Sequence, residues 1–114
     1  MASGDDDPSS LMHDFIEGEN AAHQAVIYSK SHCPWCRNVE MLFRSIEGLD
    51  AKIYQLDQMK HGNAIQQKLC HLTGLSTVPN VFVNQQHVGS HDDVVDVDAH
   101  NDKRLFEMLK KVKE

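Results

Sequence analysis

Apolar positions along the chain fall into short groups whose spacing switches between that of a helix and that of a strand. Leu11, Phe15 and Ile16, then Ala21 and Ala22, recur at roughly helical intervals and predict a short amphipathic helix, weakened by Gly18. Ala25-Val26-Ile27-Tyr28 is a brief apolar run rich in strand formers and reads as a buried strand. Residues 29–32 follow as a loop. From Pro34 onward Val39, Leu42, Phe43 and Ile46 mark one face of a second helix ending near Gly48. A proline fits its first turn, where the missing N–H has no intrahelical partner to lose.

Residues 51–57 alternate enough to predict a second strand, with Ile53 and Leu56 inward. Residues 63–72 read as a third helix, with Ile65, Leu69 and Leu72 inward and Gly74 as its stop. Residues 80–83 predict a strand, Asn84-Gln85-Gln86 a turn, and His87-Val88 the start of a partner strand, which together make a hairpin. A short helix is expected over 92–97 and a final one over 102–113, with Leu105, Met108, Leu109 and Val112 inward. A helical crossover makes the first two strands parallel, and the hairpin makes the last two antiparallel. The expected class is α/β, a four-stranded mixed sheet sandwiched by helices.

Composition narrows the function. The chain has 114 residues, the size of one domain, and a formal net charge of -6. An acidic surface is unsuited to general nucleic-acid binding, which needs cations against phosphate. Hydrophobic residues at 40% and charged residues at 25% describe a globular chain. No run of 18 apolar residues is present, so no membrane-spanning helix is expected. Residues 1–10, MASGDDDPSS, offer nothing to bury and are expected to form a disordered acidic tail before a domain over 11–114. They lack a basic start with an apolar core, and the first arginine is Arg37, so a cytoplasmic location is expected.

The chemistry concentrates in Cys33-Pro34-Trp35-Cys36, which follows a strand and opens a helix. In that context a C-x-x-C pair reads as a redox dithiol. The nucleophile is the thiolate, and an ordinary thiol is mostly protonated near neutral pH. The helix N-terminus and the nearby Lys30 both favour an anion at Cys33. Cys36, one turn on, lies within disulfide reach and can act as the resolving thiol, and it should be the more buried of the pair. The competing reading is structural zinc, which wants four ligands. No second C-x-x-C exists, and no pair among His61, His71, His87, His91 and His100 convincingly completes a site. No metal is therefore expected. Cys70, the odd cysteine, reads as a small packing residue, with regulatory oxidation or dimer formation as the other possibility.

The stretch Lys30-Ser31-His32-Cys33-Pro34-Trp35-Cys36 resembles the active-site segment of dithiol glutaredoxins, in which a lysine precedes C-P-Y-C by the same interval. Thr77-Val78-Pro79 is similar to that family's T-V-P element, and residues 88–93, VGSHDD, to its I-G-G-x-x-D element. Order and spacing agree from about Ala25 onward. Trp35 stands where the family usually has tyrosine, and Ser90 where it has the second glycine of the G-G pair. The resemblance implies a thioredoxin-like fold and a glutathione-dependent thiol–disulfide oxidoreductase with no bound cofactor, glutathione serving as co-substrate. It implies catalysis by Cys33 and Cys36. It further implies a cis Pro79 that presents the Val78 backbone, after Thr77, to the cysteinyl part of glutathione. Lys30 and Gln66 would meet the glycine carboxylate, although Gln67 could be the inward residue of that pair. Backbone amides at Asp92 and Asp93 would take the γ-glutamyl carboxylate, and the Asp93 side chain its amino group, with Trp35 beside the sulfur.

The implied partners are glutathione, glutathionylated or disulfide-containing proteins and, indirectly, glutathione reductase. A monomer is expected, with no nucleic-acid or membrane partner. Two rival readings stay open on the sequence: a thioredoxin reduced by a flavoenzyme, and a carrier that ligates a [2Fe-2S] cluster through the first cysteine and glutathione.

Overall fold

A computed structural model describes residues 8–100, with side-chain surroundings over 10–95. The elements run α1 (Pro8–Ala22), β1 (Ala25–Ser29), α2 (Pro34–Arg44), β2 (Ala51–Gln55), a single 3-10 turn (Leu56–Gln58), α3 (Gly62–Thr73), β3 (Asn80–Val83), β4 (Gln86–Gly89) and α4 (His91–His100). The strands form one sheet in the order β2-β1-β3-β4. β1 pairs parallel with β2 and antiparallel with β3, and β3 pairs antiparallel with β4. This is the mixed sheet that the order of elements predicts.

The two central strands explain the layering. All five residues of β1 and all four of β3 are buried, so both faces of the sheet are covered. Side chains alternate across a strand. Ala25 and Ile27 of β1, with Val81 and Val83 of β3, therefore point one way and pack against Val39 and Phe43 of α2 and Val94 of α4. Val26, Tyr28 and Phe82 point the other way and meet Ile16 of α1, Leu56, and Ile65 and Leu69 of α3. The Tyr28 hydroxyl donates to Asn20 Oδ1 at 2.9 Å, which satisfies a polar group within that second layer.

Several boundaries differ from the sequence reading. α1 starts at Pro8, so residues 8–10 of the expected tail are helical, while 1–7 lie outside the described residues. Leu11, part of the predicted apolar spacing, is half exposed, and Ala21 and Ala22 are exposed too; the packed face carries Met12, Phe15, Ile16 and Asn20. α2 ends at Arg44, before Gly48, because Ser45 caps it with its hydroxyl on the Leu42 carbonyl at 2.6 Å. β2 stops at Gln55, and Leu56 is buried from the 3-10 turn that follows. Leu72 is 40% exposed rather than inward. Steps of four carry the inward row of α3 from Ile65 through Leu69 to Thr73, whose Oγ1 donates to the Leu69 carbonyl at 2.8 Å.

Gly74 ends α3 in the left-handed conformation at φ 80°, as its position predicts. The hairpin turn is two residues, Asn84 and Gln85, both at positive φ, and Gln86 already pairs with Val83. A bulge follows. Phe82 pairs with His87 but Val81 with Gly89, which leaves Val88 unpaired. α4 starts one residue earlier than expected and ends three residues later. The expected helix over 102–113 lies outside the described residues. Among the described residues, no helix is long and apolar enough to cross a membrane.

Candidate active site

Cys33 is the N-cap of α2, with extended backbone at φ -105° and ψ 112°, and Pro34 occupies the first helical position. An N-cap side chain normally accepts from a free amide of the first turn. Here the acceptor is sulfur: the Cys36 N–H donates to Cys33 Sγ at 3.2 Å. The cap that terminates the helix thus also aims a backbone donor at the nucleophile. Cys33 is partly exposed and Cys36 is buried, as the sequence reading expects. Burial, with Cys33 beside it, pushes the Cys36 thiol up to about 12.

The loop that delivers Cys33 is anchored at two points. The Cys33 N–H donates to the Lys30 carbonyl at 3.3 Å, which closes a tight turn over Lys30-Ser31-His32. Asp57, in the 3-10 turn after β2, accepts from the Ser31 N–H at 2.9 Å and from the Ser31 hydroxyl at 2.5 Å. His32 Nδ1 lies 3.5 Å from the same carboxylate. These hydrogen bonds from Ser31 hold the Asp57 carboxyl below its ordinary range.

Opposite Cys33 stands the Val78-Pro79 peptide, which is cis. The Val78 carbonyl is 3.9 Å from Cys33 Sγ. Beside it runs an open groove of about 510 Å³, lined by Trp35, Leu75, Thr77, Val78, Pro79, Ser90, His91 and Asp92. Trp35 is 59% exposed, and its ring leans on His91 with centroids 4.9 Å apart. Asp93 closes the site at the start of α4, its Oδ2 accepting from the Ser90 N–H and hydroxyl.

Most of the expected site residues therefore converge. Cys33, Trp35, Thr77, Val78, Pro79, Asp92 and Asp93 come from three separated segments to one face. Lys30 reaches the site through its backbone turn and is partly buried. Gln66 is set apart. It lines a neighbouring groove of about 350 Å³ with Asn63, Gln67, Cys70 and Ser76, and its amide donates to the Ser76 carbonyl at 3.0 Å. Of the two glutamines, Gln66 is the less exposed.

Two contributors have no role in the sequence reading, Asp57 and His91, and a third, Ser90, figures there only as a replaced glycine. Asp57 lies 26 residues from Ser31, and no local pattern links them. His91 packs its ring at a tilt against Trp35 from another helix. Ser90 carried a signal that could have been used, since Ser-x-x-Asp is the spacing of a capping box.

The fold and the paired cysteines at a helix start define a thioredoxin-like dithiol protein. Comparisons make the class specific. The glutaredoxin family model matches residues 25–88. Glutaredoxin-C4 of Arabidopsis thaliana is 39% identical over 101 residues, covering 89% of this chain and 73% of the relative. Among solved structures, the buckwheat glutaredoxin–glutathione complex superposes with a TM-score of 0.84 at 32% identity, covering 93% of this chain and 94% of that one. The holo form of glutaredoxin C1 from Populus tremula x tremuloides gives 0.80 at 30% identity, covering 89% and 97%. The chain belongs to the glutaredoxin family, in its dithiol class, and is a thiol oxidoreductase.

Proposed function

We propose that the protein is a glutathione-dependent oxidoreductase that reduces protein–glutathione mixed disulfides and protein disulfides. One observation carries this reading. Cys33 Sγ receives the Cys36 N–H and sits against the Val78 carbonyl, which lines an open groove of about 510 Å³. The backbone of Val78 would pair with the cysteinyl part of glutathione, as an extra strand pairs with a free edge. Lys30 would meet the glycine carboxylate. Gln66 would join it with its second N–H, since a primary amide has two donors and one already serves Ser76. Amides of Asp92 and Asp93 would hold the γ-glutamyl carboxylate and the Asp93 side chain the ammonium.

The chemistry balances without a bound cofactor. Cys33 thiolate attacks the glutathione sulfur of a mixed disulfide, the S–S bond breaks, and the client leaves as a thiolate that takes a proton. A second glutathione attacks the Cys33 mixed disulfide, releasing glutathione disulfide and restoring Cys33. With a protein disulfide, Cys33 forms the mixed disulfide and Cys36 displaces the client, leaving a Cys33–Cys36 disulfide that two glutathiones reduce. Glutathione reductase would return the glutathione disulfide to the thiol. The cytosol, where glutathione is kept reduced, is the compartment we assign.

The test is glutathione-dependent reduction of a glutathionylated peptide, coupled to NADPH and glutathione reductase, with wild type, Cys33→Ser and Cys36→Ser side by side. The expected result is no activity for Cys33→Ser and retained activity for Cys36→Ser. A wild type that is inactive there, yet reduces protein disulfides with thioredoxin reductase, would refute the glutathione assignment.

A further inference from the structure

Ser90 has no part in the chemistry above, yet its hydrogen bonds point to one. Its carbonyl accepts from the Val94 N–H at 3.0 Å, which makes it the residue that caps α4, with Asp93 in the third helical position. The Asp93 carboxylate returns to the Ser90 N–H at 2.9 Å, which is half of a capping box. The other half is replaced. In a capping box the hydroxyl accepts from a helix amide. Here it lies 3.0 Å from Asp93 Oδ2, and because an ionised carboxylate only accepts, the hydroxyl is the donor.

Two consequences follow for Asp93. Its Oδ2 takes two hydrogen bonds from one residue, so the carboxylate cannot swing without breaking both. The space it occupies exists because residue 89 is glycine: a Cβ there would lie 2.2 Å from Asp93 Oδ2, and the backbone is at φ +125°. Oδ2 is thus clamped between Ser90 and Gly89, and Oδ1 is the oxygen left to pair with a ligand. Glycine at position 90 would supply only the backbone bond.

We propose that Ser90 is a positioning residue: its hydroxyl fixes the Asp93 carboxylate in the orientation that pairs with the ammonium of a bound γ-glutamyl peptide. This rests on the ligand reading above. Preorganisation of this kind strengthens binding by removing the cost of ordering the acceptor. It predicts a change in the dependence on the glutathionylated substrate and none in the chemistry at Cys33.

The experiment is steady-state turnover of a glutathionylated peptide, its concentration varied at fixed glutathione, for Ser90→Ala, Ser90→Thr, Asp93→Asn and Ser90→Ala combined with Asp93→Asn. Ser90→Ala is expected to raise KM for the glutathionylated peptide about fivefold, the net scale of one ordinary hydrogen bond, with kcat unchanged. Ser90→Thr, which keeps the hydroxyl, restores KM. In the Asp93→Asn background, Ser90→Ala adds nothing, because it acts through the carboxylate. A Ser90→Ala KM equal to wild type while Asp93→Asn raises it would overturn the role of Ser90 and spare that of Asp93. Additive losses, or a fall in kcat with the thermal midpoint, would show a purely structural role and overturn it too. An Asp93→Asn enzyme with unchanged KM would instead sink the placement of the ligand ammonium, and the Ser90 role with it.

Discussion

Cys36 offers a quantitative test of how the fold divides labour between its two thiols. Its side chain is fully buried, and its thiol is pushed from an ordinary 9.0 up to about 12, first by burial and then by hydrogen bonding to Cys33. Each unit is a factor of ten, so at neutral pH Cys36 holds about a thousandfold less thiolate than an ordinary thiol. Because burial is the leading cause, most of this survives removal of Cys33. The perturbation is Cys33→Ser, and the assay is iodoacetamide labelling at pH 7, followed by mass spectrometry of the peptide that contains Cys36. The expected rate is at least about a hundredfold below that of a free cysteine peptide, even after allowing for the lost Cys33 contribution. In urea that unfolds the chain, Cys36 should label at the free-peptide rate. Labelling of folded Cys36 within about tenfold of the free peptide would refute the burial argument. The sign for stability follows from the same shift. A thiol kept neutral by the fold supports the folded state fully below pH 9, and that support is lost as pH rises from 9 toward 12.

Two further outcomes are expected. Asp57, held below its ordinary 3.8 by Ser31, contributes stability that is complete above that value and lost as pH falls through the lowered one. The unfolding midpoints of wild type and Asp57→Asn should therefore differ at pH 6 and converge in strong acid; a constant gap would exclude the carboxylate as the source. At Gly62 an added Cβ would lie 1.7 Å from the Leu56 carbonyl oxygen. Helix propensity favours Gly62→Ala by at most ~1 kcal/mol, whereas overpacking against backbone typically costs about 1–3 kcal/mol, so urea titration should show a net loss.

Much of the fold was legible because its signals are local. The apolar run at Ala25-Val26-Ile27-Tyr28 is a strand buried on both faces, and Val39 and Phe43 do share the inward side of α2. Gly74 stops α3 because only a residue tolerant of positive φ closes a helix that way. Legibility failed where a neighbour in space decides. Leu72 is as apolar as Leu69, but the inward row of α3 continues to Thr73, which serves the Asn80 side chain at 3.3 Å.

The same division holds at the active site. The sequence by itself determined the dithiol and its helix start, because a cap and a nucleophile one turn from its partner are relations between near neighbours. Its resemblance to glutaredoxins also marked Thr77-Val78-Pro79 and the acids at residues 92 and 93 as parts of one site. Only the tertiary structure decided how these meet. It put the Val78 carbonyl 3.9 Å from Cys33 Sγ and seated Gln66 in an adjoining groove. It tied the catalytic loop to Asp57 across 26 residues and leaned Trp35 on His91. Such contacts depend on how strands register and helices pack, and hydrophobic pattern specifies which face is buried without specifying which polar atoms come to lie 3 Å apart.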